Sequence, residues 1–296
     1  MSRKVALVLA SGGARGLAHI GAIEELEKRG FEITSISGAS MGALIGGIYA
    51  AGGLNAFKEW MKSVDKMKVF TLLDFTVSMD GFVKGQKIIT ELKKFVPNKN
   101  IEDLNVPFTA VSTDIKHRKE VVFNSGNLFD AIRASISIPS LFKPYKIGDM
   151  ILIDGGVSNP IPLDRVQRTD GDILVCVDLN APFAFKRKTP KSTFQKEEEK
   201  SFFEKLKIPI HHLMSFEEKK SLSKEEKESL NYYTLLSDSF SMMLQTNSER
   251  SIALYKPEVV VSIPKNAYST MEFYKFDEIV EMGRQATITA LKKAEL

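Results

Sequence analysis

Two glycine-rich breaks, each at the end of a short apolar run, limit what this chain can fold into more than any other feature. Val5-Ala6-Leu7-Val8-Leu9 runs into Ser11-Gly12-Gly13-Ala14-Arg15-Gly16, and Ile33-Thr34-Ser35-Ile36-Ser37 runs into Gly38-Ala39-Ser40-Met41-Gly42. Each run has the length of a strand, and each break leads into helical periodicity, so both read as strand–turn–helix units. The second break has the G-x-S-x-G form of a nucleophile elbow, in which a sharp turn pushes the serine hydroxyl out of the sheet. Gly38 and Gly42 let the neighbouring backbone approach without a Cβ clash.

The alternation continues along the chain. Strands are expected at 4–10, 33–37, 106–115, 120–123, 151–153, 173–179 and 258–263. Helices are expected at 15–29, 40–53, 55–67, 85–95, 128–135, 232–254 and 276–294. This order argues for an α/β fold of three layers, with a mostly parallel central sheet and helices on both faces. Residues 1–296 read as a single domain interrupted by a charged insertion at about 186–230, where residues 191–230 alone hold nine Lys and nine Glu. No stretch reaches the roughly 18 uninterrupted apolar residues of a membrane span; Met41 to Leu54 comes closest but is too short and carries five glycines.

Serine is a weak nucleophile at neutral pH, so Ser40 needs a base, and its tetrahedral intermediate needs hydrogen-bond donors. Gly12, Gly13 and Ala14 precede a helix and can offer outward N–H groups, and Met41 N–H follows the serine at the start of the next helix. The four histidines are poor bases by position. His19 lies inside a helix, His117 in a polar turn, and His211 and His212 in the charged insertion. Asp154 ends the apolar strand Ile151-Leu152-Ile153 and is followed by Gly155-Gly156. Chemistry in open α/β sheets sits at the carboxyl ends of strands, and burial can raise a carboxyl pKa from about 4 into the range of a useful base. On the residues alone, Asp-Gly-Gly also fits a plain turn, and Gly12-Gly13 fits a plain turn or a phosphate cradle.

Taken together, Gly-Gly-Ala-Arg-Gly, Gly-Ala-Ser-Met-Gly, Asp-Gly-Gly and Ala134-Ser135-Ile136-Ser137-Ile138-Pro139 resemble the patatin-like phospholipases. The resemblance runs from about residue 4 to 180 and resumes around 236–263. It implies a lipid acyl hydrolase with a Ser–Asp dyad. Ser40 is then the nucleophile and Asp154 the base, with Gly12, Gly13, Ala14, Arg15 and Met41 around the oxyanion and Gly38, Gly42, Gly155 and Gly156 as supporting glycines. No cofactor or metal is implied. Two departures stand out: Ser11 replaces the Asp of plant members, and Ala14 replaces a third glycine.

Two rival functions are weaker. A dinucleotide-binding oxidoreductase would use the first glycine turn, but G-x-G-x-x-G is incomplete and no Tyr is followed by Lys four residues on. A non-catalytic lipid-binding or scaffold protein would have no use for Ser40 and Asp154 together. The net charge of +4 and the lack of any nucleic-acid motif argue against a nucleic-acid partner. The only cysteine, Cys176, forms no disulfide within the chain and fits a reducing cytoplasm. Leu54, Phe57, Trp60, Met61, Val64 and Met67 give the expected helix 55–67 an apolar side, beside Lys58, Lys62, Lys66 and Lys68. That pattern suits a core helix, or alternatively a segment that lines an acyl channel and rests peripherally on anionic lipid.

Overall fold

A computed structural model describes residues 3–72, 85–139, 141–183 and 232–296. The charged insertion, with His211 and His212, lies outside them. The strands are β1 (Arg3–Leu9), β2 (Phe31–Ala39), β3 (Phe108–Asp114), β4 (Lys119–Phe123), β5 (Tyr145–Ile147), β6 (Met150–Asp154), β7 (Ile173–Ala181) and β8 (Val259–Pro264). The helices are α1 (Ala18–Lys28), α2 (Met41–Ala50), α3 (Leu54–Lys62), α4 (Lys66–Leu72), α5 (Gln86–Leu92), α6 (Leu128–Ser135), α7 (Tyr232–Tyr255) and α8 (Phe276–Lys293).

The sheet runs β5-β6-β3-β2-β1-β7-β8, with β4 paired to β3. β3, β2, β1, β7 and β8 are parallel, and β4, β5 and β6 form an antiparallel flank. Central β1 shows why the first apolar run is unbroken. Successive side chains of a strand point to opposite faces, yet Val5 through Leu9 are all fully buried, so both faces of the sheet are covered. α2 and α6 pack together against β2 and β3, while α1 pairs with α8.

The α1–α8 crossing brings backbone against backbone. A Cβ on Gly21 would lie 1.9 Å from the Val280 carbonyl oxygen, and one on Gly283 would lie 2.0 Å from that of Ala18. Glu24 of α1 adds ion pairs to Lys58 of α3 and, at 2.7 Å, to Arg284 of α8.

Three elements differ from expectation, each for a local reason. The helix expected at 15–29 begins as a 3-10 turn over Gly13–Leu17 before α1. The helix expected at 55–67 is broken after Lys62. There the Ser63 hydroxyl donates to the Trp60 carbonyl at 2.6 Å, and Asp65 Oδ1 accepts from Lys68 N–H at 2.7 Å, so one helix closes and another opens. The short strand β5 was not foreseen. It folds back on β6 through Gly148, whose φ of +57° a side chain would resist.

Gly21→Ala is expected to cost about 1–3 kcal/mol, the usual range for overpacking a tight interface. Urea unfolding of the variant beside wild type measures it, and an unchanged midpoint would mean that α1 and α8 can separate freely.

Candidate active site

β3 brings the candidate groups together. Its first half pairs with β2, ending at Ala39↔Val111, and its second half pairs with β6, beginning at Ser112↔Asp154. The residue before Ser40 and Asp154 itself thus lie against consecutive positions of one strand.

Ser40 has φ +53° and ψ −119°, a strained conformation for a residue with a Cβ. Several contacts enforce it. The Ser40 N–H donates to Ser135 Oγ at 2.9 Å, and that hydroxyl donates in turn to the Val111 carbonyl at 2.6 Å. The turn is so tight that a Cβ on Gly38 would lie 2.4 Å from the Gly42 carbonyl carbon, and one on Gly42 would lie 1.9 Å from the Leu9 carbonyl oxygen. The two glycines of the motif are therefore required by contact as well as by turn shape.

Asp154 is buried at the end of β6. Its N–H donates to the Ser137 carbonyl at 2.9 Å, and its Oδ1 accepts Gly156 N–H at 2.8 Å. Burial pushes the carboxyl up to about 6, against the Ser40 hydroxyl and Gly156 N–H, which both pull it down. The Ser40 contact is loose: Asp154 Oδ2 has no partner of ordinary hydrogen-bond geometry. Serine–base contacts are often long before substrate binds and tighten in the complex. Gly155 and Gly156 allow close packing, since their Cβ atoms would meet the Val111 carbonyl oxygen at 2.1 Å and Ser11 Oγ at 2.8 Å.

The oxyanion side differs in two respects from expectation. Ala14 spends its N–H on the Thr270 carbonyl at 2.9 Å and is not available as a third donor. Its Cβ causes no strain, because the positive φ falls on Gly13, at +56°. The Arg15 guanidinium donates to the Lys265 carbonyl and, at 3.4 Å, to that of Tyr268. It serves as a strut beneath the turn; burial lowers its pKa to about 10, partly offset by Asp178. Among the described residues the N–H groups of Gly12 and Gly13 have no backbone partner, and Met41 N–H opens α2, where the positive end of the helix dipole faces the site.

His19 is elsewhere. Its Nε2 bonds the Ala10 carbonyl at 2.9 Å, and burial lowers its pKa to about 4, so the ring is neutral. His117 pairs with Asp114 and Asp149 in its turn.

A cavity of about 780 Å³, counting its mouth, opens at Ser40. Apart from Ser40 and Thr270, its lining is apolar side chains and Gly13. Phe57, Trp60 and Met61 of α3 line it, as does Val64 just beyond the helix, so the apolar side of α3 faces the site. Met67 does not; beyond the helix break it is half exposed. Sequence reasoning missed Ser135 as the brace of the elbow, and it missed Thr270, Met271 and Phe273 as cavity wall. The 134–139 segment could have pointed to Ser135. The residues around 270 carry no motif.

The chain belongs to the patatin-like phospholipase family, whose profile matches residues 7–166. An NTE family protein of Mycobacterium tuberculosis strain H37Rv is 43% identical over 179 residues, covering 60% of this chain and 50% of that protein. A lysophospholipase NTE1 of Cryptococcus neoformans is 31% identical over 187 residues, covering 60% of this chain and 11% of that protein. This chain thus spans about half the length, or less, of these curated relatives. The crystal structure of VipD from Legionella pneumophila aligns with 99% of this chain and 67% of its own, at a TM-score of 0.45 and 14% identity.

The raised Asp154 pKa has a stability consequence. A carboxyl that binds its proton more tightly when folded favours folding below the unfolded pKa near 4, and that support is lost as pH rises through about 6. Asp154→Asn is therefore expected to stabilise the fold at pH 8 by about 1–3 kcal/mol, with the gain shrinking toward pH 4.5. Denaturant unfolding of both proteins at the two pH values measures it. Equal differences at both would mean that Asp154 is not held against its charge.

Ser135→Ala is expected to lower stability by about 1–3 kcal/mol, because it leaves the Val111 carbonyl and Ser40 N–H unpaired. Urea midpoints test it, and a midpoint like wild type would show that the elbow holds itself.

Proposed function

We propose that this protein is a serine hydrolase of lipid acyl esters, of phospholipase A, lysophospholipase or esterase type, working through a Ser40–Asp154 dyad. One observation carries the reading: a strained serine beside a buried carboxyl with a pKa near 6, at one end of an apolar cavity. Both features cost stability, and a protein that only bound lipid would have no use for either. The dinucleotide reading loses ground, because Ala14 N–H is occupied and Gly13 faces a cavity of hydrocarbon character.

In this mechanism the acyl chain occupies the cavity, and its carbonyl lies at Ser40. Ser40 Oγ attacks the carbonyl carbon and gives its proton to Asp154 Oδ2. The N–H groups of Gly12, Gly13 and Met41 stabilise the oxyanion. On collapse, the C–O bond to the alcohol breaks and Asp154 returns the proton to the leaving oxygen. Water then attacks the acyl-serine by the same route and releases the fatty acid. Hydrocarbon walls favour a base of this kind, since they keep the carboxylate poorly solvated until it takes the proton.

The seat of lipid recognition in this reading is the cavity rather than surface charge. Lys58 is paired with Glu24 and Lys62 with Glu59, so α3 offers little net charge to an anionic membrane. No helix among the described residues is long and apolar enough to cross a membrane.

Ser40→Ala is expected to lower ester hydrolysis by more than about 10³-fold and Asp154→Asn by about 10²–10⁴-fold. For wild type, kcat/KM should rise with pH through about 6 and level off, as the carboxylate form of Asp154 becomes populated. Fatty-acid release from a lysophospholipid or a medium-chain nitrophenyl ester, with fluorophosphonate labelling of Ser40, supplies the measurement. Full activity in Ser40→Ala, or an acidic limb that survives in Asp154→Asn, would refute the dyad.

A further inference from the structure

The loop between β8 and α8 lies beyond residues 7–166, yet it touches two parts of the site at once. Thr270, Met271 and Phe273 form part of the cavity wall. The Thr270 carbonyl accepts Ala14 N–H at 2.9 Å. A Cβ on Gly13 would lie 2.5 Å from Thr270 Cγ2. Arg15 adds its bonds to the carbonyls of Lys265 and Tyr268. The end of the loop, a 3-10 turn over Phe273–Lys275, packs on α4, with the Lys66 ammonium 4.9 Å from the Tyr274 ring centroid. The loop is thus strapped to the oxyanion turn at one end and to a cavity-lining helix at the other.

Much of the remaining wall is locked in the core, including Leu17, Leu44, Phe57, Leu92 and Ile136, all buried. Met271 and Phe273 are only half-buried. Their side chains can change size with little disturbance of the sheet.

We propose that Met271 and Phe273 select the acyl chain length, and that the Ala14–Thr270 and Arg15 straps transmit the fit of the chain to the oxyanion N–H of Gly13. The inference rests on the acyl hydrolase reading. Each methylene buried against this wall is worth about fourfold in binding. Because the wall is tied to an oxyanion donor, part of that gain is realised in the transition state and so in kcat, not only in KM.

The test uses p-nitrophenyl butyrate, octanoate and dodecanoate with wild type, Phe273→Ala, Phe273→Trp and Met271→Ala. Phe273→Trp should lower the dodecanoate-to-butyrate ratio of kcat/KM by about tenfold or more, with part of the loss in kcat. Phe273→Ala and Met271→Ala should move the preferred chain toward greater length. Circular dichroism and complete fluorophosphonate labelling identify the folded variants, and Met271→Ala serves as an independent probe if a Phe273 variant does not fold. Unchanged ratios in labelled variants of an active wild type overturn this inference alone. Ratios that change only through KM overturn the link to the oxyanion turn. A wild type that cleaves none of the esters and takes no label overturns the hydrolase reading, and this inference with it.

Discussion

The site depends on one strand changing partners. β3 pairs with parallel β2 as far as Val111 and with antiparallel β6 from Ser112 onward. Backbone hydrogen bonding sets strand register, and a slip of one residue would turn every side chain to the other face. The register of β3 therefore fixes Ser40 and Asp154 relative to each other more firmly than any contact between their side chains. The hydroxyls of β3 and α6 reinforce it. Ser112 donates to the Ile153 carbonyl at 2.7 Å, Thr113 to the Asp154 carbonyl at 3.0 Å, and Ser135 ties the elbow to Val111.

This arrangement holds two unfavourable states in place. Ser40 keeps a backbone conformation that costs on the order of 1–3 kcal/mol. Asp154 is kept where its charge is poorly solvated. Both depend on the buried surface around them: β1 and the apolar faces of α2 and α6 leave no room for the elbow to relax. In the proposed mechanism a rigid surround and an apolar cavity serve the same end, because a donor or base that need not reorganise contributes more in a low-dielectric site.

Much of this was legible in the sequence, though unevenly. The strand–turn–helix units were visible because central parallel strands are continuous apolar runs and glycine marks where backbones touch. Ser40 and Asp154 could be chosen because both sit at the carboxyl ends of such runs. What the sequence could not convey was long-range. Nothing near Ala14 indicates that its N–H turns to Thr270, and nothing near Arg15 indicates that its guanidinium reaches two carbonyls of the β8–α8 loop. The apolar spacing of residues 54–67 suggested one helix. Two polar side chains, Ser63 and Asp65, ended it early by bonding to their own backbone.

The glycine-to-backbone crossing of α1 and α8 bears on how the chain could be divided. Residues 7–166 mark the span matched by the family profile, but they are not a unit that could be excised. Cutting after 166 would strip β7 from β1 and so open an edge along the middle of the sheet. It would also bare the face of α1 where Gly21 meets Val280, and remove the carbonyls that hold Arg15. An expression boundary or a domain graft for this protein should therefore be drawn after α8, with the β8–α8 loop treated as part of the same folded body rather than as an appendage.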